Sequence, residues 1–435
     1  MSALAQTSEI TAEAAPVSTY NRLVDAAHGL TADELVRYAL LHNGELLAAR
    51  QMIAEANGRW QQAALKPNPM LETSGTQAVT SADNNQMIGV EWPLELGGRR
   101  QARVLVGQRE VELRTAEVRE FERKLAADVR LKYAEAIAAA HNLKFTEELL
   151  DLTRASHRLV QARVELGKSA PLESSAVLVE AERAEVLRIN YESKAEVALL
   201  ALKQVCGMPP EELLSLRGEF LAERALPPPA ELLRTALAAR PDLAVLRAAE
   251  SLAAAQIEQA RREGRVDASL FANYQRMSSG YDVRGFNAAG QLAPVSGVFH
   301  YATFGARLTL PVRNKNQGLI AAATAAAEAA RQRREFAELV TRNEIAAALV
   351  RLEKARAALS VYRDKVREPA QRNLDLVRRT YAVGYRTALD YLAEQRRFIE
   401  IETGYTEALK ESFMALVELE RVAGATLPVS GEEQK

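Results

Sequence analysis

The sequence contains two copies of the same order of segments, and this duplication restricts the possible folds more than any single motif does. Each half contains strand-like stretches, a long helical run, a turn and a second helical run. In the first half the second run lies between Gly167 and Gly207. In the second half Gly384 and Gly424 bracket an interval of the same length. This repeat predicts two copies of a unit made of strands and a helical hairpin.

The first helical run of each half is too long for the core of a globular domain. In the first half it extends to about Leu166, a length of roughly 100 Å at the helical rise per residue. A charged fraction of 26% with abundant Ala, Leu, Glu and Arg is typical of long helices and coiled coils. Shorter helices are predicted at 32–65, after a capping-box pattern at Thr31 and Glu34, and at 231–262.

Four segments have the pattern of β-strands, two in each half. They are residues 70–79, 86–94, 267–277 and 300–312, with a Gly- and Ser-containing loop at 278–299. In the second segment Ile88, Val90 and Trp92 share an apolar face. The aromatic side chains of the strands form either a membrane-interface girdle or ordinary strand packing. They are Trp92, Phe271, Tyr274, Tyr301 and Phe304.

The lengths of these elements suggest how copies of the chain assemble. A short helix stacked end to end on a descending run matches the length of one long ascending run. One chain would then supply four helical strands of equal length and four β-strands at one end. Four β-strands leave exposed edges, so further copies must complete the sheet, and cyclic symmetry is the natural solution. Three copies would give twelve strands.

The pattern divides the chain into five segments. We predict an extended N-terminal segment (1–30), a first repeat (31–207), an equatorial linker (208–230), a second repeat (231–424) and a C-terminal tail (425–435). Pro369 predicts a kink in the second long helical run. Residues 2–6, Ser-Ala-Leu-Ala-Gln, resemble the end of a secretory signal, which suggests an exported, trimmed chain.

Several functional classes lack support in this sequence. The net charge of −1 gives no argument for a nucleic-acid partner. A single cysteine, Cys206, excludes a disulfide framework and is expected to be a buried apolar residue near a helix end. The five histidines show no ligand spacing, so we predict no bound metal and no cofactor. No Gly-rich phosphate loop, HExxH motif or nucleophile elbow is present, so we expect no enzyme.

Three local motifs follow one another in the order of a known family. They are Leu65-Lys66-Pro67-Asn68-Pro69, Trp92-Pro93-Leu94-Glu95-Leu96-Gly97-Gly98-Arg99-Arg100, and Tyr381-Ala382-Val383-Gly384-Tyr385-Arg386-Thr387-Ala388-Leu389-Asp390. With the duplicated plan, they make the chain resemble the TolC-like outer-membrane factors of bacterial tripartite efflux systems. The resemblance covers about residues 30 to 425. The second motif is most similar to the CzcC-like branch, which serves heavy-metal efflux pumps.

This resemblance implies a fold class, a location and partners. The fold would be mainly α with a membrane β-barrel. Long helical hairpins of a homotrimer would form an α-barrel across the periplasm, and four strands per chain would form a twelve-stranded barrel in the outer membrane. Residues 207–230 and the terminal segments would form a belt around the tunnel. The protein would be a passive exit duct that contacts outer-membrane lipid, a periplasmic adaptor (membrane fusion) protein and an inner-membrane pump.

The two helical turns are the first candidate site. Gly167 and Gly384 lie where a helix must reverse, and glycine tolerates the left-handed conformation required there. A purely structural role is one interpretation. The resemblance adds a second, that the turns form an adaptor-docking rim. The residues of that rim are Gly167, Lys168, Ser169, Gly384, Tyr385, Arg386 and Thr387.

The second candidate site is an aperture formed by Glu173, Tyr381, Arg386 and Asp390. Both acidic residues lie six positions after their turn glycine, so a closed trimer would place up to six carboxylates around one opening. Such a ring attracts cations and raises its own pKa values by like-charge crowding. In the family, a Tyr and an Arg at the positions of Tyr381 and Arg386 hold the tunnel shut. The alternative is a solvated charge cluster at a helix end. Ala393 stands where some relatives carry a second aspartate, which would thin the ring.

Two ambiguities remain at the level of sequence. A soluble periplasmic helical-hairpin adaptor or coiled-coil scaffold would explain the helices, although not four strands at matching points of a repeat. Within the channel interpretation the cargo is open. Metal ions, drugs and secreted proteins can all use this architecture, and the second motif favours metal cations.

Overall fold

The computed structural model describes residues 18–79, 81, 83–218, 220, 224–425 and 427. The signal-like residues 2–6 lie outside these ranges, as do most of the predicted tail and the first part of the predicted N-terminal segment. The chain forms two compact units, which are described separately. The helical unit contains the residues up to Ala49, Val118–Pro241 and the residues from Glu338 onward. The sheet unit contains Arg50–Glu117 and Asp242–Ala337.

Helices dominate the chain. Within the described ranges they are α1 (Thr19–Leu23), α2 (Ala32–His42), α3 (Gly44–Ala64), α4 (Arg99–Glu165), α5 (Pro171–Cys206), α6 (Pro229–Ala239), α7 (Pro241–Glu263), α8 (Gln317–Val361), α9 (Arg367–Ala382) and α10 (Ala388–Ala423). The longest is α4, with 67 residues, as the sequence predicted for the first long run. Across the part of the chain that the structure describes, no helix combines the length and the apolar character needed to cross a membrane.

The sheet unit holds one antiparallel sheet of four strands in sequence order. The strands are β1 (Met70–Gln77), β2 (Asn84–Pro93), β3 (Asp267–Phe286) and β4 (Leu292–Thr309). β2 pairs with β3, so the sheet joins the two halves of the chain. β1 and β4 each lie at an edge of the sheet.

The two faces of the sheet differ in polarity because successive side chains alternate along each strand. The register places Ile88 opposite Tyr274 and Trp92 opposite Leu270. One face is therefore apolar over its middle rows, and its members are Leu71, Ile88, Val90, Trp92, Leu270, Ala272, Tyr274, Ala302, Phe304, Ala306 and Leu308. The other face carries Glu72, Glu91, Ser269, Asn273, Gln275, Thr303 and Arg307, together with Met70, Met87 and the rings of Phe271 and Tyr301.

The predicted loop at 278–299 is wrong. β3 continues to Phe286 and β4 begins at Leu292, so only a five-residue turn connects them. Asn287 makes this turn, because its side-chain oxygen accepts hydrogen bonds from two backbone amides of the turn, each at 3.0 Å. Gly290 supplies the left-handed backbone, with φ at 74°. The Ser and Gly residues before the turn suggest a loop by composition, but strand pairing decides their conformation.

The motif that follows β2 forms the junction between strand and helix. Gly97 adopts a φ of 75°, and a Cβ there would lie 3.0 Å from the side chain of Arg265. Arg99 reaches across to β3, where its guanidinium lies 2.7 Å from Asp267 Oδ2. The same guanidinium donates to the backbone oxygens of Glu263 and Arg265. The motif thus ties the start of α4 to the end of α7.

The duplication is visible in the contacts of the helical unit. α2 and α6 each contain 11 residues, and each is followed by a polar residue, Asn43 or Arg240. The Asn43 amide donates to the backbone oxygen of Val205 at 2.9 Å. Arg240 donates to the oxygen of Val422 at 3.1 Å, and the two valines occupy matching positions of the repeat. Equivalent short helices therefore dock on equivalent places of α5 and α10.

The ends of α5 and α10 follow the same plan. Gly207 and Gly424 are their C-caps, with φ of 77° and 69°. Cys206, the last residue of α5, is fully buried, as the sequence predicted. Burial raises the pKa of its thiol to about 11, so it remains protonated at neutral pH.

The predicted linker pairs with the N-terminal segment. Leu216 donates its backbone N–H to Leu23 and accepts one from Asp25, each at 2.9 Å. Arg217 donates to the backbone oxygen of Leu30 at 3.0 Å. These bonds hold residues 23–30 against the linker in the helical unit. The boundaries of the five predicted segments stay predictions.

The second long helical run is interrupted where the sequence predicted a kink. α8 ends at Val361, a π-helical turn covers Tyr362–Val366, and α9 follows. Pro369 explains the interruption, because it has no N–H to donate and its ring disfavours the preceding helical geometry. The ring of Tyr362 lies against Gly404, where a Cβ would come within 2.6 Å of the hydroxyl oxygen.

Candidate functional site: the two helical turns

The first turn connects α4 to α5 and lies in the helical unit. Gly167 has a φ of 69° and its N–H donates to Val164 at 2.9 Å, while Lys168 donates to Arg163 at 2.8 Å. These bonds satisfy the last carbonyls of α4 in the manner of a Schellman cap. Lys168 is exposed and Ser169 is half-buried. Pro171 begins α5, and its N-cap residue makes no side-chain capping bond.

The second turn connects α9 to α10 and has a stronger cap. Gly384 has a φ of 88°, and Tyr385 donates its N–H to the oxygen of Thr380 at 2.9 Å. Thr387 and Asp390 then form a capping box: the threonine hydroxyl accepts from the Asp390 N–H at 3.2 Å. Asp390 Oδ2 accepts from the Thr387 N–H at 3.1 Å. The second turn is therefore fixed by side chains as well as by backbone.

Tyr381 is buried within its own chain. Its ring stacks on that of Tyr391, with centroids 5.7 Å apart and an interplanar angle of 2°. The Arg163 guanidinium lies 5.6 Å from the Tyr381 ring centroid and donates to its backbone oxygen at 3.3 Å. Burial raises the pKa of Tyr381, and the charge of Glu173 raises it further. Its hydroxyl has no hydrogen-bond partner among the described residues.

Among the residues that the structure describes, the charged side chains of the predicted aperture do not form ion pairs with one another. Arg386 is exposed and makes no ion pair with any residue that the structure describes. Glu173 is half-buried in the first turn of α5. Asp390 serves as a helix cap, and its bonds to Thr387 lower its pKa, with a smaller contribution from the Arg386 charge. The crowding expected to raise these pKa values belongs to an assembled trimer and stays a prediction.

Two contacts between helices near the turns were not predicted from the sequence. Arg396 on α10 binds Glu180 on α5 through two hydrogen bonds of 2.7 and 3.0 Å, and this lowers the pKa of Glu180. Gln395 is buried and donates to Thr153 Oγ1 on α4 at 2.7 Å. Glu180 and Arg396 lie at nearly equivalent positions of the two repeats, so their opposite charges were the available signal. The buried pair had no such signal.

The duplicated plan and the order of elements match one family model. The model described as outer membrane efflux protein matches the chain twice, at residues 35–208 and 232–425. The chain belongs to the outer membrane efflux protein family. It is accordingly an outer-membrane efflux channel that extends into the periplasm of a Gram-negative bacterium, as the sequence predicted. Members of the family work as trimeric channels in tripartite systems.

Curated relatives within the family carry metal-resistance names. The chain is 24% identical over 402 residues to the cobalt-zinc-cadmium resistance protein CzcC of Cupriavidus metallidurans, which covers 92% of this chain and 91% of that protein. It is 29% identical over 245 residues to the nickel and cobalt resistance protein CnrC of the same organism, covering 54% and 57%. The predicted resemblance to the heavy-metal branch is confirmed.

Solved structures share the fold. The channel CusC matches with a TM-score of 0.71 and 18% identity over 91% of this chain and 92% of that chain. The CmeC outer membrane channel of Campylobacter jejuni matches with a TM-score of 0.72 and 15% identity over 92% and 87%. The predicted fold class, long helical hairpins with four β-strands and an internal duplication, is confirmed.

Proposed function

We propose that this channel is the trimeric exit duct of a tripartite pump that expels divalent metal cations. The proposed cargo rests on the similarity to CzcC, which extends over nearly the full length of both chains. The partial similarity to a nickel and cobalt resistance protein points to the same class of cargo. An adaptor protein and an inner-membrane pump supply the energy and the selection, because the duct itself is passive.

The edges of the sheet support a trimer. β1 and β4 each leave one edge of backbone N–H and C=O groups without a strand partner in the described sheet. Unpaired edges are satisfied when β4 of one copy pairs with β1 of the next. Three copies then close a twelve-stranded barrel, and the same symmetry gathers three copies of each helical turn around one axis.

The two turns are proposed to dock the adaptor. Both expose apolar side chains at matching positions of the repeat, Leu166 with Val383 and Leu172 with Leu389. Tyr385 is the most exposed of the group, with 87% of its surface accessible. Exposed apolar residues gathered at a helix tip are typical of an interaction surface. Lys168, Ser169, Arg386 and Thr387 complete the rim with polar groups, and Gly167 and Gly384 set its backbone.

The aperture is proposed to be held shut by contacts between copies. Arg386 is exposed and free of ion pairs in the described chain, so it can bind a carboxylate of a neighbouring copy. Glu173 and Asp390 supply carboxylates at equivalent positions of α5 and α10. Tyr381 lies behind these charged residues, with its ring against the Arg163 guanidinium. Each exposed pair contributes only about 0 to 1 kcal/mol, and threefold repetition gives a gate that a docking partner can open.

The gate is tested by single-channel conductance in planar bilayers. Arg386→Ser removes the proposed latch and should raise the conductance of the resting channel. Arg378→Ser, an equal change of charge at an exposed residue of α9, is the matched control and should leave conductance unchanged. Equal conductance of the Arg386 variant and the unaltered channel would contradict the latch.

The cargo is tested in cells. Deletion of this chain from its host should lower tolerance to Co²⁺, Zn²⁺ or Cd²⁺ and raise the cellular content of that ion, and the unaltered chain should restore both. Tolerance to organic drugs should not change. A host that loses drug tolerance while its metal tolerance stays intact would overturn the proposed cargo and leave the channel in place.

A further inference from the structure

The apolar face of the sheet ends at a row of polar side chains. Gln86, Arg276 and His300 lie opposite one another on β2, β3 and β4. The row next to them toward the helices contains Ile88, Tyr274 and Ala302, which belong to the apolar face. The following row, on the other side, contains Asn84, Ser278 and Val298. The row of Gln86, Arg276 and His300, the basic row, therefore marks the boundary of the apolar surface.

The basic row lies away from the helical end of the sheet. β3 starts at Asp267, four residues after α7 ends, and Arg276 is nine residues further along the strand. The boundary is thus on the side of the apolar surface that is remote from the helices. If the helices extend into the periplasm, this row meets the headgroup region of the leaflet that faces the outside.

The two basic side chains are available to an anion. Arg276 makes no ion pair with any residue in the described ranges. Directly opposed residues of neighbouring strands have Cβ atoms about 5 Å apart, so Arg276 and His300 can contact one ligand. No paired position on this face carries a carboxylate, because Glu72, Glu91 and Asp267 all lie on the opposite face. Among the described paired positions of this face, the Arg276 charge is therefore not opposed by a carboxylate.

A neighbouring tyrosine orients the histidine. Tyr274 Oη lies 2.6 Å from His300 Nδ1, and the two rings stack with centroids 5.9 Å apart. When the phenol donates to Nδ1, the neutral imidazole carries its proton on Nε2, which becomes a second donor beside the guanidinium. Tyrosine also favours the zone between hydrocarbon and headgroups. The site thus combines a planar charged fork, an oriented N–H and an interfacial aromatic ring.

We propose that Arg276 and His300 bind the phosphate of a membrane-lipid headgroup and fix the depth of the channel in its bilayer. This inference rests on the proposed function only in that the apolar face contacts lipid. Arginine forms bidentate, charge-assisted hydrogen bonds with phosphate oxygens, which suits a phosphomonoester better than a neutral headgroup. The location at the apolar boundary favours a lipid-borne phosphate over a free one, because acyl chains would cover the adjacent apolar rows.

The test compares lipids that differ only in the phosphate. The full chain is purified in detergent and mixed with phosphatidic acid or with diacylglycerol of the same acyl chains, and the retained lipid is counted by native mass spectrometry. Phosphatidic acid should be retained at least about tenfold better, since charge-assisted hydrogen bonds are lost with the phosphate. The double variant Arg276→Gln and His300→Gln should abolish this preference.

The matched control is Arg307→Gln, on the opposite face of the same hairpin. Arg307 binds Glu91 and lies over the Phe271 ring, so its loss should leave the preference for phosphatidic acid unchanged. Inorganic phosphate at the same concentration should not compete if the site requires the lipid. Competition by inorganic phosphate would assign the site to free anions, and equal retention of both lipids by the unaltered chain would overturn the proposal.

Bilayer conductance separates this inference from the proposed function. The double variant should still form conducting channels. Arg276 and His300 lie on the apolar face of the sheet, which contacts lipid, and not on the polar face. Loss of lipid preference with retained conductance supports both proposals. If the unaltered chain gives no current but keeps its preference for phosphatidic acid, the proposed duct would be refuted and the headgroup site would remain supported.

Discussion

The two repeats of the helical unit use the same backbone plan with different chemistry. Lys203 and Glu420 occupy equivalent positions of the repeat, and both are buried. The lysine is satisfied by one backbone oxygen, that of Pro210, at 2.8 Å. Glu420 instead lies between two arginines: Arg130 is 3.4 Å from Oε2 and Arg224 is 3.6 Å from Oε1. Duplication preserved the geometry, while the buried charge changed sign and gained partners.

The two helical turns also differ, and again the second repeat has the additional polar contacts. Ala170 and Thr387 are equivalent N-caps, but only Thr387 forms a capping box. The first hairpin has an uninterrupted ascending helix, whereas the second has a π-helical turn before α9. The second repeat therefore depends more on specific polar contacts. The capping box and the π-helical turn thus both lie in the second repeat.

The largest expected effect is at the buried carboxylate. Glu420→Gln removes the counter-charge beside Arg224, while Arg130 keeps its ion pair with Asp33. Removing one partner of a buried ion pair should lower the free energy of unfolding by about 3 kcal/mol. Lys203→Met keeps the apolar stem and loses one hydrogen bond, at about 1 kcal/mol. Thermal unfolding followed by circular dichroism measures both. Equal losses in the free energy of unfolding would contradict the proposed difference between the two repeats.

The helix-ending glycines should behave alike in both repeats. A Cβ at Gly207 would lie 2.9 Å from the His42 backbone oxygen, and one at Gly424 would lie 3.2 Å from Arg240 Cα. Alanine at either position combines left-handed strain with a clash, so each should cost about 2 kcal/mol. Gly167→Ala meets open space and should cost only the strain, about 1 kcal/mol. A large difference between Gly207 and Gly424 would contradict the shared geometry.

The smallest effects are at the turns, and they are reciprocal. Thr387→Ala gives the second turn the cap of the first and should speed local amide exchange in the first turn of α10 by roughly fivefold. Ala170→Thr creates a T-x-x-E capping box with Glu173 and should slow exchange in the first turn of α5. Hydrogen exchange measured by mass spectrometry reports both changes. An unchanged α5 after Ala170→Thr would show that the two turns are not interchangeable.

The cap of the second turn should also depend on pH. Hydrogen bonds to Thr387 lower the pKa of Asp390, so its contribution is complete above the ordinary aspartate pKa of about 3.9. It is lost as the pH falls through the lowered value. The exchange difference between the unaltered chain and Thr387→Ala should therefore be constant near neutrality and shrink in acid. A difference that persists below that range would assign the effect to the threonine alone.

Periodicity was sufficient to predict the elements that depend on one segment of chain. The long helix α4, the capping box at Thr31 and the four strands follow from local pattern, and the repeat fixed their order. The extension of β3 to Phe286 could not be predicted, because Ser and Gly residues form a strand there only when β4 pairs with them. Pairings set by tertiary structure override local composition.

The backbone conformation of the candidate site could be predicted from the sequence, but the side-chain contacts of its residues could not. The turn glycines follow from helix reversal, and both have positive φ. The neighbours of Tyr381 were not predicted, because Arg163 reaches it only after α4 and α9 pack together. A sequence pattern gives the residues of one helix face, whereas contacts between helices depend on their packing.

The most direct test of this account is the mass and conductance of the chain purified in detergent. We expect a species of three 47.7 kDa chains that inserts into planar bilayers and gives small, cation-selective currents. A water-soluble species of one chain that gives no current would contradict it.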